Sequence, residues 1–223
     1  MAKALAIYLL LFIFLISTIY VESLKKFHLP AKALNSAAFV LIAFLFAKSS
    51  DALGSIFFPY AMSALMLCML GDILLAAAPC EAEPRWFLSG VFTFILAHVA
   101  FYMGFVKLST FSRTDFIFPL VFLAAICALS RIKTMKMGRL LPVVAAYCFF
   151  VALLCSKAVA LFLTMGSYAG TLMAMLGAIL FCLSDVILIF IYFSTKNIGL
   201  LKFVNLFIYY GGTLLLALSI SSI

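Results

Sequence analysis

Charge is what this sequence has least of. Only 10% of its 223 residues are Asp, Glu, Lys or Arg, and seven acids stand against 15 bases. So few charges cannot coat a water-soluble domain of this length, and a composition that is 68% apolar cannot be hidden in a soluble core. Proline is also scarce, with six residues, so the apolar runs go on for 14 to 26 residues instead of alternating over about ten. That excludes a membrane β-barrel and leaves helices. Histidine is limited to His28 and His98, which sit at different depths, so a His-based metal site is not expected. The six cysteines, Cys68, Cys80, Cys127, Cys148, Cys155 and Cys182, form no Cys-x-x-Cys pair and read as small core residues, neither disulfides nor ligands. Also missing are a Gly-x-Ser-x-Gly elbow, a phosphate loop, a His-Glu-x-x-His pair and a dinucleotide fingerprint. The net charge of +8 comes from bases dispersed among short loops with no aromatic-basic groove pattern, so membrane topology explains it and nucleic acid is not an expected partner.

What is present is a series of hydrophobic spans. Cutting at charges, Pro and Gly gives eight: Leu5 to Val21, Ala33 to Ala47, Ile56 to Ala78, Trp86 to Val106, Phe116 to Leu129, Leu140 to Leu163, Tyr168 to Phe193 and Leu200 to Ile220. The fold class expected is all-α, a polytopic membrane bundle of eight transmembrane helices forming one integral membrane domain over residues 1–223. The second and fifth spans are short and are expected to extend through Lys32 and Arg131, whose long stems can snorkel. The first resembles a signal peptide but lacks a small-x-small site ahead of Glu22, so it reads as an uncleaved helix. Ten of the 15 Lys and Arg residues fall on the side opposite the termini, which places that side in the cytoplasm and both termini outside. Trp86 beside Arg85 suits an interface anchor there. Short loops and the absence of retention signals point to a bacterial inner membrane.

Two acids interrupt this pattern. Asp72 follows Gly71 in span three and Asp185 follows Ser184 in span seven, each ahead of a run of aliphatics. A charged side chain in hydrocarbon costs roughly 2.5 kcal/mol or more, so such acids are read first as facing a protein interior or a wet cavity. By helical rise Asp72 lies about 9 Å before Ala78 and Asp185 about 12 Å before Phe193, which puts the two at similar depth. Aligning Gly71 with Ser184 pairs Ala61 with Ala174, Ala64 with Gly177, Cys68 with Phe181 and Asp72 with Asp185, spacings that mark one helical face. The separation of four spans suggests a parallel 4+4 repeat. The plain alternative for each acid is a structural hydrogen bond or an ion pair. The functional reading is a pair of carboxyls in which one keeps its proton and the other stays charged.

Other residues are candidates for substrate binding, each with a plainer role beside it. His98, near the middle of span four, is otherwise a satisfied core residue. Lys32, with Asn35 and Ser36 at the cytoplasmic rim, is either part of the positive-inside bias or a phosphate contact for a lipid headgroup. Asn205, Tyr209 and Gly212 share a face of span eight, and Tyr147 lies inside span six; they either line a polar pocket or hydrogen-bond helix to helix. Ser184 joins them as the neighbour of Asp185.

Leu70-Gly71-Asp72, Gly90 with the Phe94, His98 and Phe101 face, Tyr147, Gly177-Ala178 leading to Ser184-Asp185, and Tyr209-Tyr210 occur in this order along the spans. In that order and spacing the chain resembles the lysoplasmalogenase (YhhN-like) family of membrane proteins from span two onward. It departs from the family pattern at three places: Lys32-Ala33 where Lys-Pro is common, Phe101 followed by Tyr102 where Tyr is common, and Gly212-Thr213 where Ala-Gln often follows the Tyr pair. The resemblance implies hydrolysis of the vinyl ether bond of lysoplasmalogens to a fatty aldehyde and glycerophosphoethanolamine or glycerophosphocholine, with no cofactor or metal. The partners implied are a lysophospholipid substrate, water and membrane lipids. Asp72 and Asp185 would be the catalytic pair, and Lys32, His98, Tyr147, Ser184, Asn205 and Tyr209 would contact substrate. The rival reading of the same acids is a proton- or cation-coupled transporter.

Overall fold

The structure is a computed structural model that describes residues 2–77, 84–195 and 199–223. The described residues form eight α-helices and a few short 3-10 turns: α1 (Ala2–Tyr20), α2 (His28–Ser49), α3 (Phe58–Ala77), α4 (Pro84–Leu108), α5 (Ile117–Leu129), α6 (Leu141–Met165), α7 (Ala169–Phe193) and α8 (Gly199–Ser219). Among the described residues, seven of the eight are long and apolar enough to cross a membrane, and the chain is an integral membrane helix bundle. The exception is α5. Its 13 residues rise about 20 Å, short of a hydrocarbon core of about 30 Å.

The two short spans behave differently. The second extends through Lys32, as expected, because α2 already begins at His28. The fifth does not extend through Arg131. It ends at Leu129, and the chain turns at once through hydrogen bonds from Arg131 N to Ala128 O and from Ile132 N to Leu129 O. The segment that follows is held elsewhere: Lys136 N donates to Phe193 O and Thr195 N to Thr134 O, joining the α5–α6 connection to the end of α7. This fixes those two connections at one end of the bundle, the same side that the charge count groups them on.

Neighbouring helices trace a ring. In order around it, α2 packs on α3, α3 on α4, α4 on α6, α6 on α7, α7 on α8, and α8 back on α2. The remaining two stand outside, α1 against α2 and α5 against α6. The small-residue face shared by α3 and α7 points inward: Ala61, Ala64, Cys68 and Asp72 are buried, as are Ala174, Gly177, Phe181 and Asp185. Where α7 meets α8, a methyl on Gly177 would stand 2.9 Å from the Gly212 carbonyl, and one on Gly212 would stand 2.9 Å from the Gly177 carbonyl. Glycine on both sides is what lets these backbones touch in lipid, where packing replaces the hydrophobic drive.

Of the cysteines read as core residues, Cys68, Cys148, Cys155 and Cys182 are buried, whereas Cys127 is exposed on α5. The outer position of α5 explains this, since it buries only Pro119 and Ile126. Cys80 and Lys196 lie outside the described residues.

Candidate functional site

The ring surrounds a small, partly open chamber, and each of its six helices contributes to the wall. Lys32 comes from α2, Asp72 and Leu75 from α3, Phe94 from α4, Tyr147 from α6, Ser184, Asp185 and Leu188 from α7, and Asn205, Leu206 and Tyr209 from α8. Both acids and most of the polar residues singled out along the sequence therefore meet in one space. The helical register accounts for this. Asp72 lies one turn beyond Cys68 on the buried face of α3, and Asp185 lies one turn beyond Phe181 on that of α7.

The two acids have different surroundings. Asp72 is 1% exposed, and its Oδ2 accepts hydrogen bonds from Ser36 Oγ at 2.6 Å and Tyr209 OH at 2.7 Å. Its Oδ1 stands 3.1 Å from Lys32 Nζ, an ion pair whose lysine side chain keeps 13% of its surface exposed. Tyr210 sits behind this group, with its hydroxyl 3.0 Å from Ser36 Oγ and its carbonyl accepting from Tyr8 OH of α1 at 2.8 Å. A carboxylate with one cation and two hydroxyl donors is fully compensated. The plain roles of hydrogen bonding and ion pairing thus belong to Asp72 as much as any chemical role.

Asp185 is 4% exposed and, among the described residues, meets no Lys or Arg in an ion pair. The Tyr147 hydroxyl lies within hydrogen-bonding reach of its carboxyl. Its Oδ2 has no hydrogen-bond partner among the described residues and stands 3.6 Å from His98 Nε2. His98 does not line the chamber. It is fully buried behind Asp185, its ring 4.8 Å from that of Phe181 and 5.5 Å from that of Tyr147, and neither ring nitrogen has a hydrogen-bond partner among the described residues. Its position makes it a neighbour of the acid and not part of the chamber wall.

Ser184 and Asn205 are at the wall, but their polar groups are partly engaged. Ser184 Oγ donates to Phe181 O at 2.8 Å, and Asn205 Nδ2 donates to Ser184 O at 2.6 Å, which ties α8 to α7 next to Asp185. Sequence reasoning did not find the contact of Ser36 with Asp72 or the Tyr210 backing, although Ser36 had been placed beside Lys32. The signal was its spacing: Lys32 and Ser36 are four residues apart and so share a helical face. Among the described residues no three His, Cys, Asp or Glu side chains converge as a metal site would need.

A second space adjoins the chamber. It is a partly open cleft between α4, α6 and α7, and it shares Leu75, Phe94, Tyr147, Asp185 and Leu188 with the chamber. The rest of its wall is hydrocarbon and aromatic.

A family model matches residues 27–220, from the start of α2 to the end of α8. The chain belongs to the YhhN family. No curated protein and no solved structure matches it. The match to the YhhN family begins where the ring begins: α1, the outer helix, precedes it, and the residues of the chamber all fall within it.

Proposed function

We propose that this YhhN-family protein is a membrane hydrolase that cleaves the vinyl ether bond of a lysoplasmalogen, the reaction the family resemblance implies, by acid–base chemistry between Asp185 and Asp72 without a cofactor. The observation that carries this reading is the unequal pair: two buried carboxyls line one chamber, one fully compensated by Lys32 and two hydroxyls, the other with a bare oxygen and no cation. Two such groups in a low-dielectric space divide into a charged partner and a proton carrier. Asp72 takes the charged role and Asp185 carries the proton.

The steps balance as follows. For a substrate R–CH=CH–O–R′, Asp185 gives its proton to the carbon that bears R, and the electron pair of the double bond forms the new C–H bond. The carbon next to oxygen becomes an oxocarbenium ion, which the Asp72 carboxylate stabilises. Water adds to that carbon and gives up a proton to the Asp185 carboxylate, restoring it. The resulting hemiacetal breaks its C–O bond with transfer of its hydroxyl proton to the leaving oxygen, releasing the aldehyde R–CH₂–CHO and the alcohol HO–R′. Glycosidases divide the work of two carboxyls in the same way around an oxocarbenium-like transition state. Tyr147 and Tyr209 orient the two acids, Ser184 and Asn205 hold α8 to α7 at the wall, and His98 backs Asp185. Lys32, partly exposed at the mouth, reaches the substrate phosphate on its open side.

The ring order also supports a parallel 4+4 repeat, since α1 to α4 and α5 to α8 have corresponding neighbours and the acids sit on the corresponding helices α3 and α7. We place the protein in a bacterial cytoplasmic membrane with the acid-bearing end toward the cytoplasm.

The experiment is aldehyde release by purified protein in detergent from lysoplasmenylethanolamine, with the saturated alkyl ether analogue as control. Release from the vinyl ether alone, lost in both Asp72→Asn and Asp185→Asn, is the expected result. Flux in proteoliposomes that depends on a proton or cation gradient, with no aldehyde formed, would instead favour transport. The continuous course of α3 and α7 past both acids speaks against that rival, since transporter ion sites are typically built on broken helices.

A further inference from the structure

We infer that the cleft between α4, α6 and α7, next to Asp185, is the subsite for the hydrocarbon chain of a single-chain lipid. The inference rests on the vinyl ether reading for the identity of the reacting bond, and on geometry for the place of the chain.

Two observations converge. First, the cleft and the chamber share a wall of five residues, so one molecule can occupy both. Second, the two spaces are chemically opposite. The chamber holds Lys32, Asp72, Asn205 and Tyr209. The cleft, beyond the shared Asp185 and Tyr147, is lined by side chains such as Phe87, Val91, Val143, Val144 and Ile189. An amphiphile with a polar end and an unbranched apolar end fits this sequence of surroundings, whereas a peptide or nucleotide would leave its polar groups unpaired in the cleft. Within the cleft wall the Phe87 and Tyr192 rings stand 5.0 Å apart.

This placement orders the chemistry. In R–CH=CH–O–R′ the carbon that receives the proton bears R, so it lies on the chain side of the ether oxygen. Asp185 is the acid that faces both spaces, and Asp72 lines only the chamber. A chain in the cleft therefore brings the protonated carbon to Asp185 and leaves the ether oxygen and headgroup with Asp72 and Lys32.

The test uses a ligand that cannot be cleaved, so that it does not depend on hydrolysis. A hexadecyl ether lysophosphoethanolamine with a diazirine midway along its chain is photolysed with the wild-type protein in detergent, and the labelled residues are mapped by mass spectrometry. Labels on α4, α6 and α7 at Phe87, Val91, Val143, Val144, Leu188 or Ile189 are expected. Labels confined to the outer surface, such as Leu9 and Leu10 of α1, overturn the inference. A second measurement compares Val143→Trp and Ile189→Trp with wild type on hexadecenyl and butenyl vinyl ether substrates. Each is expected to lower the ratio of long-chain to short-chain cleavage at least tenfold, and an unchanged ratio in both overturns the inference. Labels in the cleft from a protein that releases no aldehyde would leave the chain site standing and sink the vinyl ether reading alone.

Discussion

Among the described residues, two Asp–Lys pairs meet at the same N–O distance in different surroundings. Lys32 and Asp72 meet at 3.1 Å on the wall of the chamber; Lys157 and Asp115 meet at 3.1 Å between α6 and the start of α5. In the second pair the lysine has no opening to the surroundings, with 2% of its side chain exposed, and Lys157 Nζ also donates to Thr110 O at 2.7 Å. Asp115 accepts from Ser112 N at 3.2 Å and closes a capping box at the turn into α5. Neither residue lines the chamber or the cleft. The first pair borders empty space with another acid across it. What separates the two pairs is that a cavity and a second acid without a cation among the described residues stand next to the first.

That contrast is broken most directly by neutralising one acid at a time. Asp185→Asn should lower aldehyde release by about 10²–10⁴-fold, the range for losing a general acid, while the melting temperature in detergent holds or rises because a poorly compensated carboxyl has been removed. Asp115→Asn should do the reverse. It leaves Lys157 buried without its counter-charge and should cost about 3–5 kcal/mol of stability, with the rate per folded molecule unchanged. Thermal melting and turnover measured on the same preparations decide both. The Asp115→Leu/Lys157→Met double variant sharpens the point, since replacing a buried pair by apolar residues of similar size is often neutral, and most of the lost melting temperature should return.

A smaller effect separates the lysines. Lys32→Met removes the cation from Asp72 but leaves the Ser36 and Tyr209 hydroxyls, so turnover should fall about 10–100-fold, the worth of about 1.5–3 kcal/mol for a hydrogen bond to a charged group. Lys157→Met should instead appear as a lower melting temperature with the rate per folded molecule retained.

How much of this was legible in the sequence follows from the same pairs. Asp72 and Asp185 stood out because each interrupts an aliphatic run, and helical rise put them at one depth; the ring then brought them to one chamber. Asn205 and Tyr209 stood out by sharing a face, Tyr147 by lying inside a span, Lys32 by its place at the rim and Ser184 by preceding Asp185. Asp115 and Lys157 escaped notice because each sits near the edge of an apolar run, where a charge reads as a loop residue; 42 positions apart, nothing local couples them. The length of α5 was misjudged for a related reason. Apolar composition continues to Leu129 and the base at 131 suggested a snorkelling end, but the turn is set by pairing of the next segment with Thr195 and Phe193, which lie more than 50 residues on. His98 was seen as polar within a span, yet whether it faces the chamber or stands behind Asp185 depends on how α4 is rotated against α7, and one helix's pattern does not determine that.

The finest test applies the same small substitution on both sides of the contrast. Ser36 Oγ donates to Asp72 at 2.6 Å and touches Tyr210 OH at 3.0 Å; Ser112 Oγ accepts from Thr114 N at 3.3 Å as the cap beside Asp115. Each Ser→Ala change removes one hydroxyl next to one acid of an Asp–Lys pair, worth about 1 kcal/mol in either place. In Ser112→Ala that amount should be lost from stability, because the cap serves only to seat the turn into α5. In Ser36→Ala it should be lost mainly from the rate, about fivefold, because Asp72 keeps Lys32 and Tyr209 and the helices stay packed, while the carboxylate is held less firmly against the charge that develops across the chamber. Turnover measured beside melting for both variants gives the comparison. A Ser36→Ala protein that loses stability and keeps its full rate would place the Lys32–Asp72 pair in the same structural class as Lys157–Asp115, and the catalytic role would then have to rest on Asp185 alone.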